Sequence, residues 1–148
     1  MKRVLIIYGS TTGNTEDMAQ MVSGCLNKAG FETQVKDVTD ASVENLADDH
    51  DLVLLGCPAY GYDTVELQEF FAEFYEQMTG IELNGKKFAV FAPGDISYEH
   101  FCGSVDMLEE KMTELGGVRV IAGLKIDGEP GDYGEEISEW AESAAKSA

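Results

Sequence analysis

The chain has 148 residues and a formal net charge of −18, with 28 Asp and Glu against 10 Lys and Arg; its hydrophobic fraction of 44% is that of an ordinary globular protein. A charge of this sign excludes nucleic acid as a partner, and no stretch approaches the roughly 20 apolar residues of a membrane span. Cys25, Cys57 and Cys102 are odd in number and form no CxxC pair, which excludes a disulfide framework and a zinc site and points to reduced thiols in a cytoplasm. One domain spanning residues 1–148 is expected, and Lys2-Arg3 followed by Val4 to Ile7 is too short for a signal peptide.

Val4-Leu5-Ile6-Ile7 reads as a first strand, followed by Tyr8-Gly9-Ser10-Thr11-Thr12-Gly13-Asn14-Thr15 and an amphipathic helix. A strand, a hydroxyl-rich turn and a helix N-terminus aim backbone N–H groups and a dipole's positive end at one spot, where a phosphate fits. No Lys or Arg lies between Arg3 and Lys28, and the Gly-Lys-Ser/Thr ending of nucleotide-hydrolysing loops is missing, so neutral donors must hold a monophosphate. Met18, Met21, Val22, Cys25, Leu26 and Ala29 share one helical face, and Gly30 stands at the C-terminal cap.

Thr33 to Val38 reads as a second strand, and Val43 to Leu46 as one helical turn after a Ser42 cap. Leu52 to Cys57 is an uninterrupted apolar run, the mark of a strand covered on both faces. It leads into Pro58-Ala59-Tyr60-Gly61-Tyr62-Asp63 and then a helix with Leu67, Phe70, Phe71, Phe74 and Met78 inward. Phe88 to Ala92 is the fourth strand, with Pro93 to Phe101 its exit loop. A helix from about Phe101 to Leu115 follows, stopped by Gly116-Gly117. Val118 to Ile126 is the fifth strand, with a bend or bulge at Gly123, and the last helix carries Ile137, Trp140, Ala141 and Ala144 on its inner face.

Alternating strands and helices with long crossovers predict an α/β, doubly wound three-layer sandwich on a five-stranded parallel sheet. In such folds the ligand lies past the strands' carboxyl ends. Loops 10–15, 58–63 and 93–101 leave that edge, one rich in phosphate donors and two carrying Tyr60, Tyr62 and Tyr98. The combination suits a flat, phosphorylated ring.

Gly9-Ser10-Thr11-Thr12-Gly13-Asn14-Thr15, Leu55-Gly56-Cys57-x-x-x-Gly61, Gly94-Asp95-x-x-Tyr98 and Phe101-Cys102-Gly103 resemble, in register, the motifs of the short-chain flavodoxins. That resemblance implies the flavodoxin-like strand order 2-1-3-4-5, with FMN at the switch between the first and third strands as the family is known to place it. It implies a low-potential one-electron carrier rather than an enzyme, cycling its non-covalently bound FMN between semiquinone and hydroquinone. Ser10, Thr11, Thr12, Gly13, Asn14 and Thr15 would hold the phosphate. Pro58, Ala59, Tyr60, Gly61, Pro93, Gly94, Asp95, Tyr98, Phe101 and Cys102 would meet the ring. Tyr98 would stack on the outer face and Tyr60 or Tyr62 on the inner one, Tyr60 by register. The Gly61 peptide would turn over on reduction, as Gly permits. Departures from the pattern are Tyr60 where many members carry Trp, and Pro58-Ala59 where many carry hydroxyls.

Eight of the ten bases are expected on the edge away from the flavin, with Lys36 within strand two and Lys125 the clear exception. Glu16, Asp17, Asp40, Asp63, Glu66, Asp95, Glu99, Asp127, Glu129 and Asp132 are expected around it. Such a rim would steer redox proteins with basic docking faces (low-potential reductases, hydrogenase- or cytochrome-type partners) to a monomeric carrier, and would oppose a second electron. The alternative is an FMN-dependent oxidoreductase of quinone or nitro-compound reductase type. A receiver domain lacks its acidic pair, and a low-molecular-weight phosphatase lacks Cys and Arg in the loop.

Overall fold

A computed structural model describes residues 2–11, 13–47, 49–60, 66–94 and 102–148. Its main sheet is parallel. β1 (Arg3–Tyr8) lies between β2 (Glu32–Asp37) and β3 (Leu52–Gly56), and β6 (Lys87–Gly94) follows β3. The short β4 (Ala59–Tyr60) and β5 (Glu66–Leu67) form a separate antiparallel pair that the apolar pattern does not announce. The fifth sequence-derived strand is two pieces, β7 (Val118–Arg119) and β8 (Leu124–Asp127), each paired with β6. In terms of the five expected strands the order is 2-1-3-4-5.

The apolar runs are covered on both faces. Leu5, Ile7, Val53, Leu55, Phe88 and Val90 point into one core, while Val4, Ile6, Leu52, Leu54, Ala89 and Phe91 point into the other. α1 (Asn14–Lys28) and α4 (Gly134–Lys146) pack on the second face, and α2 (Glu69–Gln77) and α3 (Gly103–Glu114) on the first. In α1, Met18, Val22 and Leu26 are buried, Met21 and Cys25 half-buried, and Ala29 exposed because the helix has ended. Gly30, at φ 95°, lets the Phe31 N–H return to the Leu26 carbonyl at 2.9 Å.

Three expectations need correction. Phe70 is 49% exposed; the inward set of α2 is Phe71 and Phe74, with Met78 just beyond the helix and Leu67 before it in β5. Helical phase decides this, since residues one apart on a helix diverge by about 100° and Phe70 and Phe71 cannot both face the sheet. The turn at Val43–Ala47 is a 3-10 helix in which Asn45 Oδ1 accepts from the Ser42 N–H at 2.9 Å, so the side-chain bond runs opposite to the expected Ser42 cap. The fifth strand, expected to be continuous from Val118 to Ile126, leaves the ladder between Arg119 and Leu124.

That interruption has partners from both helix layers. Glu109 of α3 accepts from the Gly123 N–H at 3.1 Å and lies 3.2 Å from the Arg119 guanidinium. Trp140 of α4 donates its indole N–H to the Ala122 carbonyl at 2.9 Å. The helices thus supply bonds that the ladder does not, as backbone polar groups require. A Cβ on Gly123 would lie 2.3 Å from Val105 Cγ1 and 3.1 Å from the Val90 carbonyl oxygen, so Gly is required by close approach.

Gly56, the last residue of β3, is constrained in the same way. An added Cβ would lie 2.3 Å from Cε2 of Phe91, a ring with 0% exposure. Gly56→Ala is expected to cost about 1–3 kcal/mol by overpacking, read as a lower urea midpoint for the apoprotein.

Candidate functional site

Tyr8 of β1 is registered with Gly56 of β3, and Gly56 with Phe91 of β6. The pairing extends one step past the strands: the Gly9 N–H donates to the Gly56 carbonyl at 2.9 Å, and the Cys57 N–H to the Phe91 carbonyl at 3.3 Å. The first two loops therefore start side by side at one edge, and β6 runs on three residues beyond Phe91, to Gly94, before the third loop begins. The chain runs outward from β1 to β2 and returns to β3 on β1's other side, which makes this edge the point where strand order reverses.

In the first loop, Ser10 Oγ accepts from the Gly13 N–H at 3.0 Å and Thr11 Oγ1 accepts from Gln68 Nε2 at 3.4 Å. Each hydroxyl, having accepted one bond, still has its own proton to donate. α1 begins from Gly13 in the left-handed region, at φ 97°, with no side-chain hydrogen bond capping it. First-turn N–H groups at an uncapped helix start, together with hydroxyl donors and no fixed cation, fit a phosphate monoester. Asn14 is half-buried, and Thr15 is only 1% exposed.

Two acids occupy the first turn of α1, Glu16 and Asp17. Glu16 is held at its side: the Tyr8 hydroxyl donates to its Oε2 at 3.1 Å. Burial first, and then the Glu16 carboxylate, push the Tyr8 hydroxyl up to about 12, so it stays a donor throughout the neutral range.

At the second loop Pro58 is buried, and its carbonyl lies 3.2 Å from the Cys57 thiol, which is placed to donate to it. The Cys57 carbonyl accepts from Ser104 Oγ at 2.6 Å, so the first turn of α3 grips the head of this loop from behind. The third loop starts later than expected: Pro93 and Gly94 are the last residues of β6, paired with Ile126 and Asp127 of β8, Pro93 is buried, and the Gly94 carbonyl accepts from the Gly128 N–H at 2.9 Å. Cys102 sits in the left-handed region at φ 48°, its thiol turned inward toward the Ala92 and Ile126 carbonyls at 3.6 and 3.9 Å. Its side chain thus belongs to the core, and only its backbone is available to a ligand. Burial pushes both Cys57 and Cys102 up to about 12, so neither is a nucleophile at neutral pH. Thr12, Gly61, Tyr62, Asp95, Tyr98, His100 and Phe101 lie outside the described residues, as do the side chains of Ala59 and Tyr60.

Glu16, Asp17, Asp40, Asp127, Glu129 and Asp132 are exposed; Asp63, Asp95 and Glu99 lie outside the described residues, as does the side chain of Glu66. Lys36 lies within β2 as expected, paired with Ile7 one residue short of this edge. Lys125 is neutralised by Asp106, both of whose oxygens lie 3.1 Å from its Nζ. On the opposite edge Lys2 donates to the Ala148 carbonyl at 2.6 Å, and Arg3 faces Glu32 and Asp49 at 3.9 and 3.8 Å. Among the described residues, no three His, Cys, Asp or Glu side chains gather as a metal site, and no helix is long and apolar enough to cross a membrane.

Sequence reasoning passes over Gln68 and Ser104, both buried polar side chains that act behind the loops. Gln68 stands three residues before Phe71, whose N–H it caps at 3.0 Å, and that spacing ahead of a helical pattern is the only local signal.

A doubly wound parallel sheet with a lysine-free anion loop at its reversal point defines a mononucleotide-binding protein. The flavodoxin family's sequence model matches residues 6–140. The chain is 42% identical over 145 residues to the flavodoxin of Maridesulfovibrio salexigens, covering 98% of both chains. It is 41% identical over 141 residues to that of Nitratidesulfovibrio vulgaris, covering 95% of both. Its fold matches the crystal structure of oxidised flavodoxin 2 from Bacillus cereus with a TM-score of 0.90, at 32% identity over 99% of each chain. The chain belongs to the flavodoxin family, FMN-binding proteins that transfer electrons between redox partners rather than act as enzymes.

The buried thiols give a direct check. A thiol reagent at pH 8 is expected to take half-buried Cys25 rapidly, and Cys57 and Cys102 only as the chain unfolds. Because the folded pKa of each buried thiol is raised from 9.0 to about 12, the unfolded chain ionises first. Their contribution to stability is therefore intact below pH 9 and lost as pH rises toward 12. Urea unfolding across that window should show the decline.

Proposed function

We propose that residues 1–148 form a single FMN-binding unit that serves as a low-potential one-electron carrier, working between the semiquinone and hydroquinone levels of non-covalently bound FMN. The observation that carries this reading is the donor polarity of the first loop. Ser10 and Thr11 each accept one bond, at 3.0 and 3.4 Å, and so still have a proton to donate beside an uncapped helix start. With Thr12, Gly13, Asn14 and Thr15 they hold the phosphate.

The ring then lies between the second and third loops. Tyr98 stacks on its outer face and Tyr60 on its inner one, with Pro58, Ala59, Gly61, Pro93, Gly94, Asp95, Phe101 and Cys102 around its edge. The Gly94 carbonyl is engaged with Gly128 and the Cys102 thiol is turned away, which supports a contribution limited to backbone N–H groups from these two. FMN supplies the redox chemistry; the protein's part is to hold it, exclude water from its faces and set the local charge.

The acidic rim acts on charge and on encounter. A carboxylate roughly 10 Å from the ring, at an effective dielectric near 20 and with salt screening, disfavours an added negative charge by about 0.5–1.5 kcal/mol, or about 20–65 mV for one electron. Several acids together lower the second couple and steer proteins with basic docking faces, such as low-potential reductases and hydrogenase- or cytochrome-type partners. The carrier acts as a monomer in the cytoplasm.

Stepwise anaerobic reduction of the FMN-saturated protein tests this reading. A broad long-wavelength absorption band that grows and then bleaches is the expected result. Direct two-electron bleaching would favour a small FMN-dependent oxidoreductase of quinone or nitro-compound reductase type, and failure to bind flavin would end both readings.

Rim electrostatics have a separate readout. Asp127→Asn is expected to raise the lower couple by about 20–65 mV at low salt, less as salt rises. A potential that does not move with salt or charge would sink the electrostatic part alone.

A further inference from the structure

Gln68 is 2% exposed, a buried polar side chain that stands outside every loop of the proposed site. It is the N-cap of α2, where its Oε1 accepts from the Phe71 N–H at 3.0 Å. That N–H demands an oxygen, which fixes the amide's orientation and turns Nε2 toward Thr11 Oγ1 at 3.4 Å. The same side chain packs under the start of the first loop: a Cβ on Gly9 would lie 2.8 Å from Gln68 Oε1. Gln is an uncommon N-cap; Asn, Asp and Ser cap a helix at least as well with shorter side chains. The extra methylene is what lets one amide cap α2 and still reach Thr11.

We propose that Gln68 is a positioning residue for the phosphate loop, holding Thr11 with its hydroxyl proton outward so that the site distinguishes a phosphorylated flavin from an unphosphorylated one. The inference rests on the reading that this loop holds the phosphate of FMN. Removing the amide's reach frees the Thr11 hydroxyl to turn its proton inward or to water, which weakens the grip on phosphate and leaves the ring's surroundings unchanged.

Gln68→Asn separates positioning from mere structure, because Asn keeps the cap on Phe71 and falls one methylene short of Thr11. Apoprotein is titrated with FMN and with riboflavin by flavin fluorescence quenching, and its stability is measured by urea unfolding. For Q68N the expected result is a three- to tenfold fall in the ratio of FMN to riboflavin affinity, with riboflavin affinity and the urea midpoint close to wild type. A ratio that stays at the wild-type value, whether both affinities hold or fall together, overturns the proposal. Gln68→Met, which fills the space without the amide, should give the same fall in ratio and decides the matter if Q68N does not fold. If wild-type apoprotein binds no FMN, the phosphate-loop reading itself fails, an outcome distinct from an unchanged ratio in a protein that does bind it.

Discussion

The site depends on the register at which β1 and β3 end beside β6. Tyr8, Gly56 and Phe91 stand side by side across β1, β3 and β6, and the ladder continues one bond beyond, through Gly9 and Cys57. This brings the first two loop starts together while β6 runs on to Gly94, and it requires Gly at position 56 because the Phe91 ring occupies the place of a Cβ. Phe91 in turn meets Trp140 edge-on, with centroids 5.9 Å apart, and Trp140 holds the Ala122 carbonyl in the interrupted fifth strand. A close approach at the centre of the sheet is thereby linked to the geometry of its edge.

Among the described residues, several buried or partly buried polar side chains tie elements together. Glu109 and Trp140 bond the backbone where the fifth strand leaves the ladder, Ser104 fastens α3 to the end of β3, and Gln68 fastens α2 to the first loop. Apolar packing is tolerant of small slides, whereas a buried hydrogen bond penalises them because an unpaired polar group is costly. The loops that need fixed positions are the ones so tied.

Charge is arranged on a coarser scale. The exposed acids at the loop edge have few bases among them, and Lys125 is matched by Asp106, while Lys2 and Arg3 are engaged at the opposite edge. A net charge of −18 opposes compactness by self-repulsion. Stability here must come from the two cores rather than from surface pairs, which contribute little individually.

The residues alone determined the layered α/β plan. The runs at Val4–Ile7, Leu52–Leu55 and Phe88–Ala92 are apolar without alternation because both faces are covered, and the strand, hydroxyl-rich turn and helix that open the chain are legible without any neighbour. Trp140 as core and Gly30 as a cap were legible for the same reason: local periodicity and backbone stereochemistry act over a few residues. What only the tertiary structure decided involves partners far apart in the chain. The Gln68–Thr11 bond spans 57 residues and the Ser104–Cys57 bond 47, and no local pattern encodes either. Two-residue strands such as β4 and β5 carry no period to read. The break in the fifth strand required Glu109 and Trp140 to arrive from opposite faces, and the outward turn of Phe70 followed from which of two adjacent phenylalanines the packed helix could bury. Sequence specifies which segments must be covered; only packing determines which side chains do the covering and where the backbone's remaining polar groups find partners.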